Sequence, residues 1–439
     1  MGKSLYIAEK PSVAQEFAKA LHINTQRKDG YLESAEAIVT WCVGHLVTMS
    51  YPEEYDPALE DLTIYHLLTM QAGSKECYNN VWFSKLTRDW ETNWLKQPKI
   101  REDIGKAFHY DSGCSYTLSR IVTKVMGKNC LALMQERVFD KMGFGEINWL
   151  TSPEGHNTGG WGMYLTAGKI SALAQLLLQK GEWNGEQLIP AWWTEEIGKM
   201  RVVIPEDEKK ALTHYAYHIK AGKEIFAAEG AFGQYLICFR DYPVAIGITA
   251  GASEYLAADI CLKYIKEAVQ IPCEKENLEE AQEKLEEKLV HLTLPKPEGD
   301  KKDTNEATKK LLNKRIVFTE NPRQIESAVI STVGEELKLE LTVAGEKKIL
   351  FAGYKDWKCN DMYPNDFTKR YHAVSYAFDE DALYLSVGLL NTSYREEYCL
   401  WVNSENVVVG TWRPNVTYLP AEEDMTWKFT GTFEPSCIL

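Results

Sequence analysis

The sequence predicts a multidomain fold in which α/β segments are followed by an all-β domain. The chain begins with an apolar strand, a tight turn and an amphipathic helix. Its middle part mixes helical and strand patterns with glycine-rich turns, and residues 313–439 alternate apolar and polar positions between turn signals. At 439 residues, the chain is long enough for two or three domains.

Residues 1–58 form the first predicted segment. "SLYIAE" and "AIVTWCVG" are typical of buried strands, and Pro11 suits the first position of the helix between them. Glu9 would emerge at the carboxyl end of the first strand, beside the start of that helix. A carboxylate there can bind a divalent metal or transfer a proton, and a solvated turn residue is the alternative.

Residues 59–270 form a second predicted domain of helices and short strands, and residues 271–312 a charged helix and linker. Within "NLEEAQEKLEEKLVHL" the apolar residues recur at helical spacing, which predicts an amphipathic helix. The apolar stripe consists of Leu278, Ala281, Leu285 and Leu289.

Residues 313–439 predict an antiparallel β-barrel or β-sandwich, because short alternating runs such as "ELKLELTV" and "ALYLSVGLL" follow one another closely. The tryptophans of this region are predicted to lie in its core. They are Trp357, Trp401 and Trp412.

Composition restricts the class of partner. The formal net charge of −14 argues against a general nucleic-acid-binding surface, which needs clustered lysine and arginine. No apolar stretch is long enough to cross a membrane. The ten cysteines include no Cys-x-x-Cys pair, so we expect reduced thiols in a cytoplasmic protein.

The first segment closely resembles a known family. "LYIAEKPSVAQEFAKAL" and "VTWCVGHLVTMSYPEEYDP" are similar to the start of the Toprim domain in type IA DNA topoisomerases of the topoisomerase III kind. The resemblance assigns Glu9 to the Toprim glutamate, Lys10 to the adjacent lysine, and Gly44, His45 and Leu46 to the "GHL" element. It implies a fragment that binds DNA and magnesium.

A Toprim site also needs an Asp-x-Asp pair to hold magnesium together with the glutamate. The chain has one Asp-x-Asp, Asp379 to Asp381, in the strand-rich C-terminal region, where a hairpin turn is predicted. The topoisomerase therefore remains an alternative function, and magnesium is expected only under it.

The second domain resembles another family. "DLTIYHLLTMQAG", "FHYDSGCSYTLSRIVTKVMGK", "TGGWGMYLTAGKISALAQLLL" and "FAAEGAFGQYLICF" are similar, in that order, to the beta-lactamase and penicillin-binding protein superfamily, chiefly its beta-lactamase-related esterases and amide hydrolases. This implies metal-free acyl transfer to water from an ester, amide or β-lactam. The expected ligand is a small ester, amide or peptidoglycan-like molecule.

The hydrolase resemblance assigns Tyr110 and Ser112, in "YDS", to the family's Tyr-x-Asn/Ser motif. A tyrosine there moves the proton of a serine nucleophile. The alternative is a core aromatic residue that opens a helix over residues 112–126. The predicted substrate contacts are Trp161, Gly230, Gly233 and Gln234.

Two elements depart from the hydrolase pattern. The third motif falls at Ile225, Phe226 and Ala227, where the usual polar pair is missing. No serine is followed by lysine three residues later, and Thr25 with Lys28 has that spacing only within a polar loop. Residues at i and i+3 share one helix face, so this spacing is what brings the amine to the hydroxyl.

We therefore expect an impaired or inactive hydrolase, with a non-catalytic ligand-binding pseudoenzyme as a further alternative. The two resemblances meet between Tyr55 and Asp61, which suggests a fusion of unrelated pieces. His214 and His218 have zinc-binding spacing on a helix, but no clear third ligand accompanies them. A packing or surface role is predicted for both.

Overall fold

The computed structural model describes residues 4–8, 11–20, 23–28, 31–41, 57–205, 210–252, 257–271, 278–299, 308–360, 371–379, 381–417 and 425–434. They fall into two compact units. Unit 1 comprises residues 1–165 and 176–226, and unit 2 comprises residues 166–175 and 227–439. The predicted domain boundaries at 58, 270 and 312 stay predictions.

Helices are concentrated in the first two thirds of the chain. The α-helices are α1 (Pro11–Ala20), α2 (Ile64–Leu68), α3 (Asn80–Ser84), α4 (Trp90–Leu95), α5 (Ser112–Met126), α6 (Cys130–Met134), α7 (Ala167–Leu178), α8 (Ala191–Ile197), α9 (Ala257–Ala268) and α10 (Leu278–Val290). Short 3-10 turns cover Pro57–Asp61, Arg101–Asp103 and Thr308–Leu311, and a π-helical turn, Gln135–Phe139, follows α6. In the described residues no helix is both long and apolar enough to cross a membrane.

Strands occur throughout and dominate the C-terminal region. They are β1 (Ser4–Ala8), β2 (Gln26–Lys28), β3 (Tyr31–Glu33), β4 (Ala37–Trp41), β5 (Asn148–Trp149), β6 (Met163–Tyr164), β7 (Glu182–Trp183), β8 (Glu186–Gln187), β9 (Val202–Val203), β10 (His214–Tyr215), β11 (Lys220–Ala221), β12 (Ile225–Gly230), β13 (Gln234–Phe239), β14 (Ala245–Ile248), β15 (Arg315–Phe318), β16 (Ile325–Val333), β17 (Glu336–Val343), β18 (Glu346–Tyr354), β19 (Lys358–Asn360), β20 (His372–Phe378), β21 (Ala382–Leu389), β22 (Arg395–Val402), β23 (Val408–Pro414) and β24 (Trp427–Phe433).

The N-terminal segment is a small α/β sheet with the strand order β1-β4-β3-β2. β1 and β4 run parallel, and α1 crosses between them and packs Ala14 and Ala18 against Leu32 and Val39. The predicted strands at both ends of the segment are therefore present. The candidate Toprim residues, Glu9, Lys10, Gly44, His45 and Leu46, lie outside the described residues.

The core of unit 1 is rich in aromatic residues. Trp94 and Phe83 are fully buried and pack with Leu67 and Met70 from the region of α2. Helix α5 buries its first turns against this cluster, and it ends at Gly127, whose φ of +64° is the left-handed conformation that glycine adopts without strain. This helix has the bounds predicted from the sequence, 112–126.

The C-terminal region of unit 2 is a β-barrel. Its strands follow the order β18-β17-β16-β15-β24-β23-β22-β21-β20-β19, and a further pairing of β18 with β20 closes the sheet. Leu339, Leu385 and Leu400 lie in its apolar core, as does Trp412, which is 5% exposed. The barrel is one of the two predicted forms. The burial predicted for Trp412 is confirmed, whereas Trp357 and Trp401 are only partly buried.

The single Asp-x-Asp of the sequence joins two adjacent barrel strands. β20 and β21 pair antiparallel from Phe378 and Leu383 outward. The backbone N–H of Asp379 donates a hydrogen bond to the carbonyl of Ala382 at 3.0 Å. Asp379 and Asp381 therefore belong to a hairpin turn, as predicted.

Candidate active site

The candidate site in unit 1 is built on the first turn of α5. Asp111 is the residue before the helix, and its Oδ1 accepts a hydrogen bond from the backbone N–H of Gly113 at 2.8 Å. This is a helix N-cap, which satisfies one of the N–H groups that the first turn leaves without a partner. The cap fixes the backbone on both sides of Asp111, at Tyr110 and Ser112.

The other oxygen of Asp111 ties the start of the helix to the core. Oδ2 accepts a hydrogen bond from Nε1 of Trp94 at 2.8 Å and another, short one from the hydroxyl of Ser74. Lys99 Nζ lies 3.4 Å from Ser74 Oγ and 4.1 Å from the centre of the Trp94 ring. Burial raises the pKa of Asp111, and the bond from Ser74 and the charge of Lys99 act against that rise.

Sequence reasoning missed this network. Asp111 directly before a predicted helix was the one local signal, because aspartate is a preferred N-cap residue. Nothing in the sequence pattern indicated Ser74 or Lys99, which lie 37 and 12 residues before it and are brought there by the fold. Their burial is nearly complete, at 1% and 7% exposed.

Tyr110 stands at the edge of this network with its side chain accessible. It is 42% exposed, and its ring meets that of Tyr215 edge to face at 6.4 Å between centroids. Tyr215 is buried and packs on Phe108 at 5.1 Å. Tyr110 is therefore not a buried core residue, and it opens the helix at an exposed position.

Ser112 and Ser115 lie one turn apart on α5 and are both 6% exposed. The Oγ of Ser115 lies 3.4 Å from Nδ1 of His218. His218 has a φ of +56°, and burial lowers its pKa to about 4. Its Nε2 is buried and has no hydrogen-bond partner among the described residues, so His218 is neutral at pH 7 and packs within unit 1.

The histidine pair does not form the helical zinc motif considered from the sequence. His214 lies in the strand β10, and His218 lies in the turn that leads to β11. In the part of the chain that the structure describes, no group of three or more His, Cys, Asp and Glu side chains could hold a metal ion.

Trp161 lies in an aromatic cluster of unit 1. Its ring stacks on Trp90 at 5.8 Å and approaches Phe83 at 5.3 Å. The preceding Gly160 passes so close to α5 that a Cβ atom there would lie 3.0 Å from the Cβ of Ser115. The loop is thus packed against the site-bearing helix, and the substrate contact assigned to Trp161 stays a prediction.

The remaining predicted site residues belong to unit 2. Gly230 ends β12, Gly233 has a φ of +88° in the turn that follows, and Gln234 begins β13. Nε2 of Gln234 donates hydrogen bonds to the carbonyl of Ala250 at 2.7 Å and to Ser393 Oγ at 2.9 Å. These bonds fix the hairpin, and a role in substrate binding stays a prediction.

The third-motif positions are apolar and buried. Ile225, Phe226 and Ala227 begin β12 and are at most 8% exposed. Side chains of this kind offer no hydrogen bond to a substrate. These three positions therefore lack the polar side chains that the family's third motif usually provides.

Comparison with known proteins identifies the family of this fold. The family model described as Beta-lactamase matches residues 44–268, slightly more than half of the chain. The chain belongs to the beta-lactamase family. Its hydrolase-like fold extends over the residues that carry Tyr110, Ser112 and the β12–β13 hairpin.

Two of the solved structures to which the chain is similar are a penicillin-binding protein homologue and an amidase. One is the octameric penicillin-binding protein homologue from Pyrococcus abyssi, with a TM-score of 0.38 and 11% identity over 87% of this chain and 83% of that chain. Another is the D-amino acid amidase from Ochrobactrum anthropi SV3, with a TM-score of 0.36 and 10% identity over 48% of this beta-lactamase-family chain and 79% of the amidase.

A different relative matches a short part of this beta-lactamase-family chain. DNA topoisomerase 3 from Staphylococcus aureus (strain USA300) is 56% identical over 59 residues, which are 13% of this chain. The chain spans about 8% of the length of that relative. The resemblance to topoisomerase III inferred from the sequence is confirmed for this segment.

Proposed function

We propose that this chain is a beta-lactamase-related serine hydrolase whose acyl transfer is impaired or absent. Its ancestral reaction is the transfer of an acyl group from a small ester, amide or β-lactam-like substrate to water. We place the protein in the cytoplasm and assign it a small-molecule or peptidoglycan-like ligand. We assign it no nucleic-acid partner and no membrane.

The observation that carries this proposal is the state of the one Ser–Lys pair described above, Ser74 and Lys99. The hydroxyl of Ser74 donates a hydrogen bond to the buried carboxylate of Asp111, and the serine is 1% exposed. An attacking serine needs an accessible oxygen and a base that takes its proton. This pair therefore anchors the helix, and the sequence offers no Ser-x-x-Lys in its place.

Fluorophosphonate labelling of the folded chain, followed by mass spectrometry, tests the proposal. We expect no stoichiometric adduct on any serine and no hydrolysis of nitrocefin or nitrophenyl esters above that of a Tyr110→Phe variant. An active beta-lactamase-family hydrolase serves as the labelled control. Stoichiometric phosphonylation of one serine, with loss of fluoride from the reagent, in folded but not in denatured protein would overturn it.

A second candidate function is ligand binding without turnover, and the exposed Tyr110 beside a rigid helix start favours it. Isothermal titration with a β-lactam or a peptidoglycan peptide measures such binding. Saturable binding that weakens in the Tyr110→Ala variant, with the ligand recovered unchanged, would support this candidate.

The third candidate is a topoisomerase fragment that binds DNA and magnesium, and the identity of 56% over 59 residues favours it. Magnesium-dependent relaxation of supercoiled DNA, abolished by Glu9→Gln, would establish this activity. The absence of relaxation at any magnesium concentration would remove it.

A further inference from the structure

Helix α10 of unit 2 presents an uncovered apolar stripe. All thirteen of its residues are exposed, and none of the described residues covers them. Leu278, Leu285 and Leu289 are 54%, 56% and 54% exposed, and Ala281 lies between them on the same face. A soluble protein rarely leaves three leucines aligned in water without a partner.

The short length of α10 also indicates that its apolar face has a partner. An isolated helix shorter than about 12 to 15 residues is only marginally stable in water, and most helix stability comes from packing of an apolar face. The ion pair of Lys284 with Glu280 at 2.6 Å and the hydrogen bond of Gln282 to Glu286 at 3.0 Å are exposed and contribute little. A partner on the leucine stripe would supply the missing packing.

The charges that flank the stripe indicate which partner fits. At about 100° per residue, Lys284 and Lys288 lie along one side of the stripe. Glu279 and Glu286 lie along the opposite side, and Gln282 lies between them and the leucines. The helix therefore has one basic flank and one acidic flank, separated by its apolar face.

We propose that the leucine stripe of α10 is a self-association surface on which a second copy of this chain docks in parallel. In a parallel helix pair, each flank of one helix meets the opposite flank of the other, so the basic side of each copy faces the acidic side of its partner. Lys284 and Lys288 lie two residues before and after Glu286, which is about 3 Å along the helix axis in either direction. In a parallel pair in register, both lysines of one copy are therefore nearly level with Glu286 of the other. An antiparallel pair would instead bring like charges together.

A second copy fits these charges better than a uniformly basic or acidic helix from another protein. A basic helix would match the acidic flank and be repelled by Lys284 and Lys288, and an acidic helix would show the reverse mismatch. The interface also obeys the two-fold symmetry usual for homodimers, in which one patch contacts itself. Because the leucine stripe is only two heptads long, the dimer is weak and forms only as the protein concentration rises.

Sedimentation equilibrium of the full chain tests this proposal over a concentration range from about 1 to about 500 µM, in which a weak dimer forms. The wild-type chain shifts from monomer toward dimer, and Leu285→Lys raises the dissociation constant at least about tenfold, as expected when a central seam residue is lost. Val290→Lys is the matched control, because Val290 is 81% exposed on the same helix but lies off the stripe. This control retains the wild-type dissociation constant.

Charge-reversal variants test the parallel orientation. Lys284→Glu with Lys288→Glu makes both flanks acidic, and Glu279→Lys with Glu286→Lys makes both basic, so each double variant alone is monomeric. An equimolar mixture of the two forms a heterodimer. The proposal is overturned if the wild type stays monomeric or if Leu285→Lys dimerises with the wild-type dissociation constant. It is also overturned if the equimolar mixture of the two double variants forms no heterodimer. Binding of a basic amphipathic peptide by a chain that stays monomeric would assign the surface to another partner.

Discussion

Trp94 and Asp111 are 17 residues apart in sequence and meet inside unit 1, where the indole Nε1 donates a hydrogen bond to the carboxylate at 2.8 Å. Trp94 is fully buried in the aromatic core, and Asp111 is the cap of the helix that follows Tyr110. This hydrogen bond therefore connects the aromatic core of the unit to its candidate site.

Removal of the Asp111 carboxylate should be severely destabilising. Asp111→Ala removes a helix cap, leaves the buried donors of Trp94 and Ser74 without their common acceptor, and removes the negative charge that attracts Lys99. We therefore expect a loss of about 3 to 5 kcal/mol in the free energy of unfolding. Urea denaturation measures it. Asn79→Ala, which removes a more exposed cap from α3, should cost only about 1 kcal/mol. Equal effects of the two variants would contradict the buried network.

Gly113 provides a second test of the same contact. A Cβ atom at this position would lie 2.0 Å from Nε1 of Trp94, so Gly113→Ala must displace the indole or the helix. We expect a loss of about 3 kcal/mol, at the upper end of overpacking effects. Gly168 is the matched control, because it also lies in a helix and its Cβ would meet only Thr166 Oγ1 at 4.0 Å. Gly168→Ala should be neutral or stabilise by up to about 1 kcal/mol in thermal or urea unfolding.

The bounds of α5 show which structural features can be predicted from the sequence alone. Its bounds follow from local signals, an aspartate before the helix and a glycine after it, because caps act within one turn. The partners of Asp111 are a tertiary arrangement that no periodicity encodes. His218 illustrates the opposite case, because the spacing His-x-x-x-His is compatible with a helix, and the left-handed backbone at His218 is incompatible with one.

The partly buried His218, whose Nε2 atom is shielded from water, should make stability depend on pH. Burial lowers its pKa from 6.5 to about 4 in the folded chain, so below pH 6.5 the unfolded chain binds a proton that the folded chain does not. Stability therefore falls as the pH is lowered through this window, by about 2 kcal/mol between pH 7 and pH 5.

The variant His218→Asn isolates that contribution, and asparagine tolerates the left-handed backbone at this position. Urea denaturation across the pH range should give a shallower acid loss for the variant than for the wild type. The control His291→Gln, at an exposed position after α10, should retain the wild-type slope. Parallel pH profiles for wild type and His218→Asn would show that His218 is protonated equally in both states.

An ion pair in the barrel of unit 2 offers a test that is independent of the candidate site. Arg323 NH2 lies 2.9 Å from Glu396, whose carboxylate also accepts a hydrogen bond from the hydroxyl of Tyr398 at 2.7 Å. Glu396 is 4% exposed, whereas the side chain of Arg323 is 31% exposed. The arginine therefore reaches from a partly exposed position to a carboxylate that is buried in the apolar interior.

Breaking this pair from one side should cost more than neutralising both sides. Arg323→Met leaves a buried carboxylate without its cation, and we expect a loss of about 3 kcal/mol in the free energy of unfolding. Adding Glu396→Gln removes the charge and keeps an oxygen for Tyr398, so the double variant should recover about 2 kcal/mol of that loss. Lys128→Met, which breaks an exposed pair with Glu136, should change stability by less than about 0.5 kcal/mol. Purely additive effects of Arg323→Met and Glu396→Gln in urea denaturation would show that the two charges do not stabilise each other in the barrel.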